Sequence, residues 1–187
     1  MISTLIIKMI QNASGNVHDI CHFLKVYAYA KTIGECEGLD AKTQQILEAA
    51  AVVHDIACPL CRAKYGNTSE KNQEREGPAL ALAFLEDSGL SDEAVGRIAY
   101  LVGHHHTPGA ADGMDYQILI EADYLVNAGE AGHSKEKYKT PCNIFLKPRR
   151  ASFCCAPSIN CLRKADSAPP CRKGAPGKTA RRFFSHS

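Results

Sequence analysis

The chain has 187 residues, of which 45% are hydrophobic, and a formal net charge of +2 at pH 7. This composition can build a hydrophobic core and excludes a chain that is disordered throughout, and the length suits one domain with some residues left over. The apolar start, MISTLIIKMI, is too short to cross a bilayer and lacks the basic and cleavage regions of a signal peptide. We therefore expect a soluble cytoplasmic protein that does not enter a membrane.

The small net charge conceals two segments of opposite charge. Residues 1–134 carry 9 Lys and Arg against 18 Asp and Glu, a net charge of −9, whereas residues 135–187 carry 13 against 2, a net charge of +11. The second segment also holds six of the nine prolines and five of the nine cysteines. The sequence thus predicts a domain over 1–134 and a basic, Cys- and Pro-rich tail over 135–187.

Apolar residues recur with a helical period through most of the predicted domain. HDICHFLKVYAYAKTIGECEGL predicts a helix that ends near Gly34 and Gly38. Asp40 is a suitable N-cap for a second helix, LDAKTQQILEAAAVVHDIA, which continues until Pro59 stops it. The stretch over about 58–77 is rich in Gly, Asn, Ser and Lys and predicts a loop.

Three more helices are predicted after this loop. Pro78 suits the first turn of PALALAFLEDSG, which Gly89 closes, and Ser91 is a suitable N-cap for DEAVGRIAYLVGHHH. TPGAADGMD predicts a loop, and YQILIEADYLVNAG predicts the last helix. Because no segment alternates polar and apolar residues for long, the predicted fold class is all-α.

The basic tail shows no sustained helical or strand period, so we expect it to be disordered or loosely attached. Three interpretations stay open: a nucleic-acid-binding arm, a loose Cys-rich zinc segment, or a stretch translated in the wrong reading frame. The last explains most, because hydrophobic period, acidity and Cys content change together just after EADYLVN. A nucleic-acid partner is accordingly not favoured. Helices missing after this point would leave part of the core uncovered and favour a homodimer.

Polar side chains interrupt the apolar helix faces at four places, which are His22, the His54–Asp55 pair, the run from His104 to His106, and Asp123. Burying such groups costs free energy unless each is paired or bound, and the helices of a bundle can direct them at a common centre. For His54 and Asp55 the alternative is a satisfied polar pair in the core. Three imidazoles and two carboxylates suit one or two divalent ions, namely Mn, Fe, Co, Ni, Zn or Mg.

The order of these residues, a His, then His-Asp, then a distant Asp, resembles the HD domain superfamily of metal-dependent phosphohydrolases. The residues that carry the resemblance are His22 in CHFLKVYAYA, His54 and Asp55 in AAAVVHDIA, and Asp123 in EADYLVN. It spans about residues 16–129. The resemblance implies an HD-type helical bundle in which these four residues bind metal.

Members of the superfamily with two metals carry a further ligand before Gly-Pro and one or two His before the final Asp. EREGPALALAFLE places Glu76 before Gly-Pro, where the similar nucleoside polyphosphate hydrolases typically have His. Helix phase favours His105 first and His104 second as ligands, with His106 facing substrate. Many members also carry a Lys after the HD pair, and here the phosphate contact would come from Lys64, Lys71 or Arg75.

The resemblance implies an enzyme that cleaves a phosphate ester or anhydride of a nucleotide or similar small molecule through a metal-activated water. His54 and Asp55 are the predicted catalytic residues, and Asp55 is expected to bridge two ions. The alternative is a metal- and nucleotide-binding HD domain without turnover that acts as a sensor or interaction module. Cys58 and Cys61 form a CxxC pair, which we predict to be ordinary reduced thiols because no second pair lies at a zinc-binding spacing.

Overall fold

The computed structural model describes residues 1–131, so the tail predicted over 135–187 lies outside the described residues. The described part holds seven α-helices, one short 3-10 helix (η1, Pro108–Ala110) and no strand, which confirms the all-α prediction. None of the helices in this part is long and apolar enough to cross a membrane. The helices are α1 (Ile2–Asn12), α2 (Val17–Glu37), α3 (Ala41–Val53), α4 (Cys58–Tyr65), α5 (Glu70–Leu85), α6 (Asp92–Val102) and α7 (Met114–Glu130).

Helix α3 lies at the centre of the bundle and packs against α1, α2, α6 and α7. The residues from Ala49 to Val53 are completely buried. A helix that is buried on every side must be apolar on every side, which is why the AAAVV stretch has no polar face. The small alanine side chains let the neighbouring helices come close, so that α2 and α7 both reach the end of α3, where His54 follows.

Two of the predicted helix starts have the expected caps. The Asp40 side chain accepts hydrogen bonds from two backbone N–H groups of α3, each at 3.0 Å, and the Ser91 side chain accepts one from the first turn of α6 at 3.3 Å. Helix α2 continues through Gly34 and ends at Gly38. The φ of Gly38 is 72°, a left-handed conformation that glycine adopts without strain.

The prediction of a loop over about 58–77 is wrong, because α4 and α5 occupy most of these residues. Pro59 lies in the first turn of α4, where its missing N–H needs no partner, so it begins a helix instead of ending one. Helix α5 begins at Glu70, and Pro78 lies inside it. Tertiary packing holds Pro78 there: a Cβ added to Gly103 would lie only 2.8 Å from the proline Cγ, so the ring packs directly on the turn after α6.

The histidines that were predicted at helix ends lie in the turns that follow the helices. Helix α3 ends at Val53 and α6 ends at Val102. The next residues form turns, the first of them closed by a hydrogen bond from Ile56 N to Val53 O at 3.0 Å. Neighbouring residues of an α-helix diverge by about 100°, and His54 keeps right-handed helical backbone angles. Its Nε2 nevertheless lies 3.7 Å from Asp55 Oδ2, so both side chains reach the same region.

Helix α5 passes close to the end of α6 at Gly77. A Cβ added to Gly77 would lie 2.7 Å from Cγ1 of Val102, a buried β-branched residue with little freedom to rotate. We expect Gly77→Ala to lower the free energy of unfolding by about 1–3 kcal/mol, the usual cost of overpacking. Urea denaturation monitored by circular dichroism measures this change.

Gly96→Ala on α6 is the matched control. No atom lies within 4 Å of a Cβ added to Gly96, so the better helix propensity of alanine should stabilise the protein by about 0.5–1 kcal/mol. Stabilisation of both variants to the same extent would contradict the close approach of α5 and α6.

Candidate metal centre

Six side chains from four parts of the fold meet beside the end of α3. Helix α2 contributes one of them, α7 contributes another, and the turns after α3 and α6 contribute two each. They form two groups, within each of which the ligand atoms lie no more than 4.8 Å apart: His22, His54 and Asp123 in the first group, and Asp55, His105 and His106 in the second.

The ligand atoms of the first group face one another at short range. His22 Nε2 lies 3.3 Å from His54 Nε2 and 3.1 Å from Asp123 Oδ1. His54 Nε2 lies 3.6 Å from the same Asp123 oxygen. All three side chains are buried. Two imidazole nitrogens and a carboxylate oxygen at these distances form a donor set that suits a divalent transition metal.

The Asp55 carboxylate lies between the two groups. Its Oδ2 is 3.5 Å from His22 Nε2 and 3.7 Å from His54 Nε2. Its Oδ1 is 3.5 Å from His105 Nε2. One carboxylate oxygen therefore faces each group, so that a single side chain can serve both.

Backbone carbonyls orient two of the imidazoles. His54 Nδ1 donates to Ala51 O at 2.9 Å. His105 Nδ1 donates to Val102 O at 2.8 Å, so both rings carry a proton on Nδ1 and turn Nε2 toward the centre. Among the described residues, the Nε2 atoms of His105 and His106 are buried without a hydrogen-bond partner. A buried polar atom without a partner costs free energy, and a cation would satisfy both nitrogens. These residues therefore fit a divalent metal.

Further residues of α7 support the centre. Glu130 Oε2 lies 3.0 Å from His22 Nδ1, and Lys25 Nζ donates to the other Glu130 oxygen at 3.0 Å. Asn127 Nδ2 donates to Asp123 Oδ1 at 2.8 Å. Carboxylates and amides in this position fix the orientation of metal-binding side chains. The sequence analysis did not predict Asn127 or Glu130. The signal was present, because Asp123, Asn127 and Glu130 are spaced i, i+4, i+7 and share one helix face.

The charges of the centre shift the pKa values of its members. Burial lowers the pKa of His22, but the hydrogen bond with Asp123 and the charge of Asp55 outweigh it and raise the pKa to about 9. Burial raises the pKa of Asp55, but the neighbouring imidazoles bring it below its ordinary value. Burial and the nearby His105 lower the pKa of His106 to about 4. In the metal-free protein at pH 7, His22 therefore carries a proton and His106 is neutral.

His104 turns away from the centre, and His106 turns toward it. His104 Nδ1 donates to the backbone oxygen of Tyr100 at 2.7 Å. The imidazole of His104 stacks on the phenol ring of Tyr100, with the ring centroids 4.3 Å apart. From helix phase, His104 was predicted to be a metal ligand after His105, and His106 was predicted to face the substrate. The structure groups His105 with His106 instead, because these residues lie in a turn where helix phase no longer applies.

The structure does not bring Glu76 or the predicted phosphate contacts to the centre. Glu76 Oε1 accepts hydrogen bonds from Tyr65 OH at 2.6 Å, from Lys64 Nζ at 3.1 Å and from Arg75 Nε at 3.2 Å. The bonds from Tyr65 and Lys64 lower the pKa of Glu76 to about 2, and its negative charge is paired with Lys64 and Arg75. Lys71 is exposed and is not among the described residues that line the cavity in front of the centre.

Glu74, two residues before Glu76, contacts the histidine turn. Its Oε1 accepts hydrogen bonds from His106 N at 3.1 Å and from Thr107 Oγ1 at 2.9 Å. Tyr116 OH donates to Thr107 O at 2.8 Å from the opposite side. Glu74 thus holds the backbone that carries His106. In EREGP the position before Gly-Pro singled out Glu76, and no local signal marked Glu74, so this role was not predicted from the sequence.

A cavity of about 730 Å³ opens in front of the centre. Five of the six candidate ligands line it, and so does His18, whose side chain is 71% exposed. This volume is typical of sites that hold a small molecule. Polar side chains make up much of the remaining wall, among them Asn16, Asp19, Arg62, Thr68, Glu70 and Gln73.

Both cysteines of the CxxC pair are free and buried. Cys58 lines the cavity, and its Sγ donates to Gln73 Oε1 at 3.4 Å. Burial and the nearby Asp55 raise the pKa of Cys58, so the group is a protonated thiol rather than a metal-binding thiolate.

The arrangement of a His from one helix, a His-Asp pair after the next, a His turn and a distant Asp is that of an HD-type helical domain. The family model of the HD domain matches residues 19–146, and the chain belongs to this family. A solved structure of a predicted HD superfamily hydrolase from an uncultured Thermotogales bacterium is similar in fold. Its TM-score is 0.58 and its identity 24%, over 82% of this chain and 80% of that chain. No match was found among curated proteins.

The contact between Glu130 and His22 predicts a role for Glu130 in metal affinity. Glu130→Gln removes the charge that orients and polarises the imidazole, so we expect Mn²⁺ affinity to fall by about 10–100-fold. Calorimetric titration of the metal-free protein measures the affinity. Glu35→Gln is the control, because Glu35 is an exposed residue of α2 that pairs with Lys31. If folded Glu130→Gln binds Mn²⁺ as tightly as the wild-type protein does, Glu130 has no role in metal affinity.

The raised pKa of His22 predicts that metal binding releases a proton. A coordinating imidazole must be neutral, whereas His22 with a pKa of about 9 is protonated at pH 7. Raising the pH removes the competing proton, so the apparent Mn²⁺ affinity should increase by about tenfold per pH unit as the pH approaches that pKa. Calorimetry at pH 7 in two buffers with different ionisation enthalpies counts the protons released. Equal heats in both buffers would exclude the release.

Proposed function

We propose that the chain is a metal-dependent phosphohydrolase that cleaves a phosphate ester or anhydride of a nucleotide or a similar small molecule with water. The observation that carries this proposal is the Asp55 carboxylate beside a cavity, with one oxygen facing the imidazoles of the first ligand group and the other facing His105 of its own group. Membership of the HD domain family supports the same chemistry.

Each group offers three ligands to one cation. His22, His54 and Asp123 would hold the first ion, and Asp55, His105 and His106 the second. When bound, such ions act as Lewis acids that activate water and neutralise the charge on phosphoryl oxygens. The mixed nitrogen and oxygen donors suit Mn, Fe, Co, Ni or Zn, and Mg less well.

The protein's own contribution is orientation and charge. The neighbouring imidazoles hold the pKa of Asp55 below its ordinary value, although burial opposes this shift, so Asp55 is ionised at neutral pH. Backbone carbonyls hold the rings of His54 and His105, and Glu130 holds the ring of His22. Side chains that are fixed in this way need no reorganisation when charge develops on a reacting phosphoryl group.

A second candidate function is a metal- and nucleotide-binding domain without turnover, acting as a sensor or interaction module. The arrangement of cations favours it. Lys64 and Arg75 are paired with Glu76, and Arg62 is paired with Asp19. Phosphoryl transfer needs positive charge or a proton donor at the leaving oxygen, and these side chains are engaged elsewhere.

Asp55→Asn tests the proposed function. This change keeps the shape of the side chain but removes the charge shared by the two groups. The expected result is that phosphate release from p-nitrophenyl phosphate and from a nucleotide panel falls by at least about 100-fold, since loss of an outer-shell partner alone costs up to that much. Assays with Mn²⁺, Co²⁺, Ni²⁺ and Mg²⁺ cover the candidate ions.

Asp87→Asn is the control, because Asp87 is exposed in the segment between α5 and α6. Retained activity in folded Asp55→Asn would reject the hydrolase. Nucleotide binding to the wild-type protein without hydrolysis in any of the metals would instead support the sensor.

A further inference from the structure

The cavity wall beyond the candidate ligands carries little positive charge. Its charged members are Asp19, Glu70 and Arg62, with His18 adding a positive charge only when its imidazole is protonated. Two carboxylates thus face one guanidinium. The other polar members of this wall are uncharged, and they include Asn16, Thr68, Gln73 and Asn127.

The guanidinium of Arg62 is already bound. Arg62 Nη1 donates to Asp19 Oδ2 at 2.9 Å, and Nη2 contacts both oxygens of the same carboxylate. The Asp19 side chain is only 13% exposed, so the pair is partly shielded from water. A bidentate pair of this kind largely cancels the two charges. Glu70 then leaves the wall with one uncompensated negative charge.

Other cations on the helices around the centre, which do not line the cavity, are also bound to carboxylates. Lys25 donates to Glu130, and Lys64 and Arg75 donate to Glu76. Within the part of the chain that the structure describes, no lysine lines the cavity. A second or third phosphate group of a bound molecule would therefore add to the charge of Glu70 without meeting an unpaired lysine or arginine of the described wall.

We infer that the cavity takes a phosphate monoester whose remaining part is uncharged, such as a nucleoside monophosphate or a sugar monophosphate, and disfavours diphosphates and triphosphates. This inference rests on the proposed function and narrows its substrate class. One phosphate group is compensated at the candidate metal centre, whereas each further phosphate adds negative charge to a wall in which Glu70 is already uncompensated and Asp19 is paired with Arg62. Glu70 is exposed, so the repulsion is that of charges near a protein surface.

The uncharged part of the wall suits the remainder of such a molecule. Amide and hydroxyl side chains offer hydrogen bonds to sugar hydroxyls, and Pro108, Ile120 and Tyr124 supply apolar surface. In the reaction the oxygen of one water bonds to phosphorus and the ester P–O bond breaks. The leaving oxygen gains a proton, so the products are inorganic phosphate and an alcohol.

Substrate preference tests the inference. Phosphate release from AMP, ADP, ATP, ribose 5-phosphate and glycerol phosphate is measured at pH 8 with free Mn²⁺ held constant, since histidine side chains are ordinarily neutral at that pH. The expected kcat/KM for the best monoester exceeds that for ADP and ATP by about tenfold or more. Calorimetric binding of AMP, ADP and ATP to Asp55→Asn provides a readout that needs no turnover, and AMP should bind most tightly.

Glu70→Gln and Glu93→Gln form a matched pair of variants. Both glutamates are exposed and lie in the first turn of a helix, but Glu70 lines the cavity whereas Glu93 lies outside its described lining and is paired with Lys42. Glu70→Gln should raise kcat/KM for ADP and ATP relative to AMP by about threefold to tenfold, because it removes the uncompensated charge. Glu93→Gln should leave the ratio unchanged.

The outcomes separate this inference from the proposed function. Hydrolysis of ADP or ATP as efficiently as of any monoester would overturn the inference and leave the hydrolase in place. Absence of hydrolysis for every compound would reject the hydrolase, and the binding order would then decide: tighter binding of AMP supports the charge argument, and tighter binding of ADP or ATP overturns it. An unchanged ratio in Glu70→Gln would also overturn it.

Discussion

The Asp55 carboxylate, half-buried among imidazoles at the end of an apolar helix, sets the main constraint on this fold. Charged and polar groups in such a place are costly unless their charges are compensated. In the metal-free protein a proton on His22 offsets part of the carboxylate charge, as its raised pKa shows. Divalent cations would compensate the same groups more completely. Folding of this end of the bundle and metal binding are therefore linked.

The fold meets this constraint with small side chains and two turns. Alanines of α3 admit the neighbouring helices, and the turns after α3 and α6 present adjacent residues to one region. The outward-facing nitrogens of His22, His54 and His105 are held by Glu130 and by two backbone carbonyls. Because these partners hold the rings from outside the centre, the inward-facing nitrogens are positioned before any ligand arrives.

Lysine and arginine side chains outside the candidate metal centre are paired with carboxylates, and this pairing bears on the function of the centre. Glu76, Asp19 and Glu130 each accept hydrogen bonds from a lysine or arginine, and among these cations only Arg62 lines the described cavity. The positive charge that compensates an anionic molecule must then come from the two groups of candidate metal ligands and the cations that they would hold. The same pairing limits how much further negative charge the cavity can accept. The pairing of cations therefore bears on the choice between hydrolase and sensor, and also on the class of substrate.

Residues and their order were enough to predict the all-α class and to single out His22, His54, Asp55 and Asp123, because polar groups stand out in apolar helix patterns. Helix α4, the start of α5 and the choice between His104 and His106 were not predictable in this way. Turn geometry and packing decide them, and local propensity does not encode either. Glu130 lies 108 positions from His22 along the chain. Such a pair meets only when the helices pack, since no local pattern links residues so far apart.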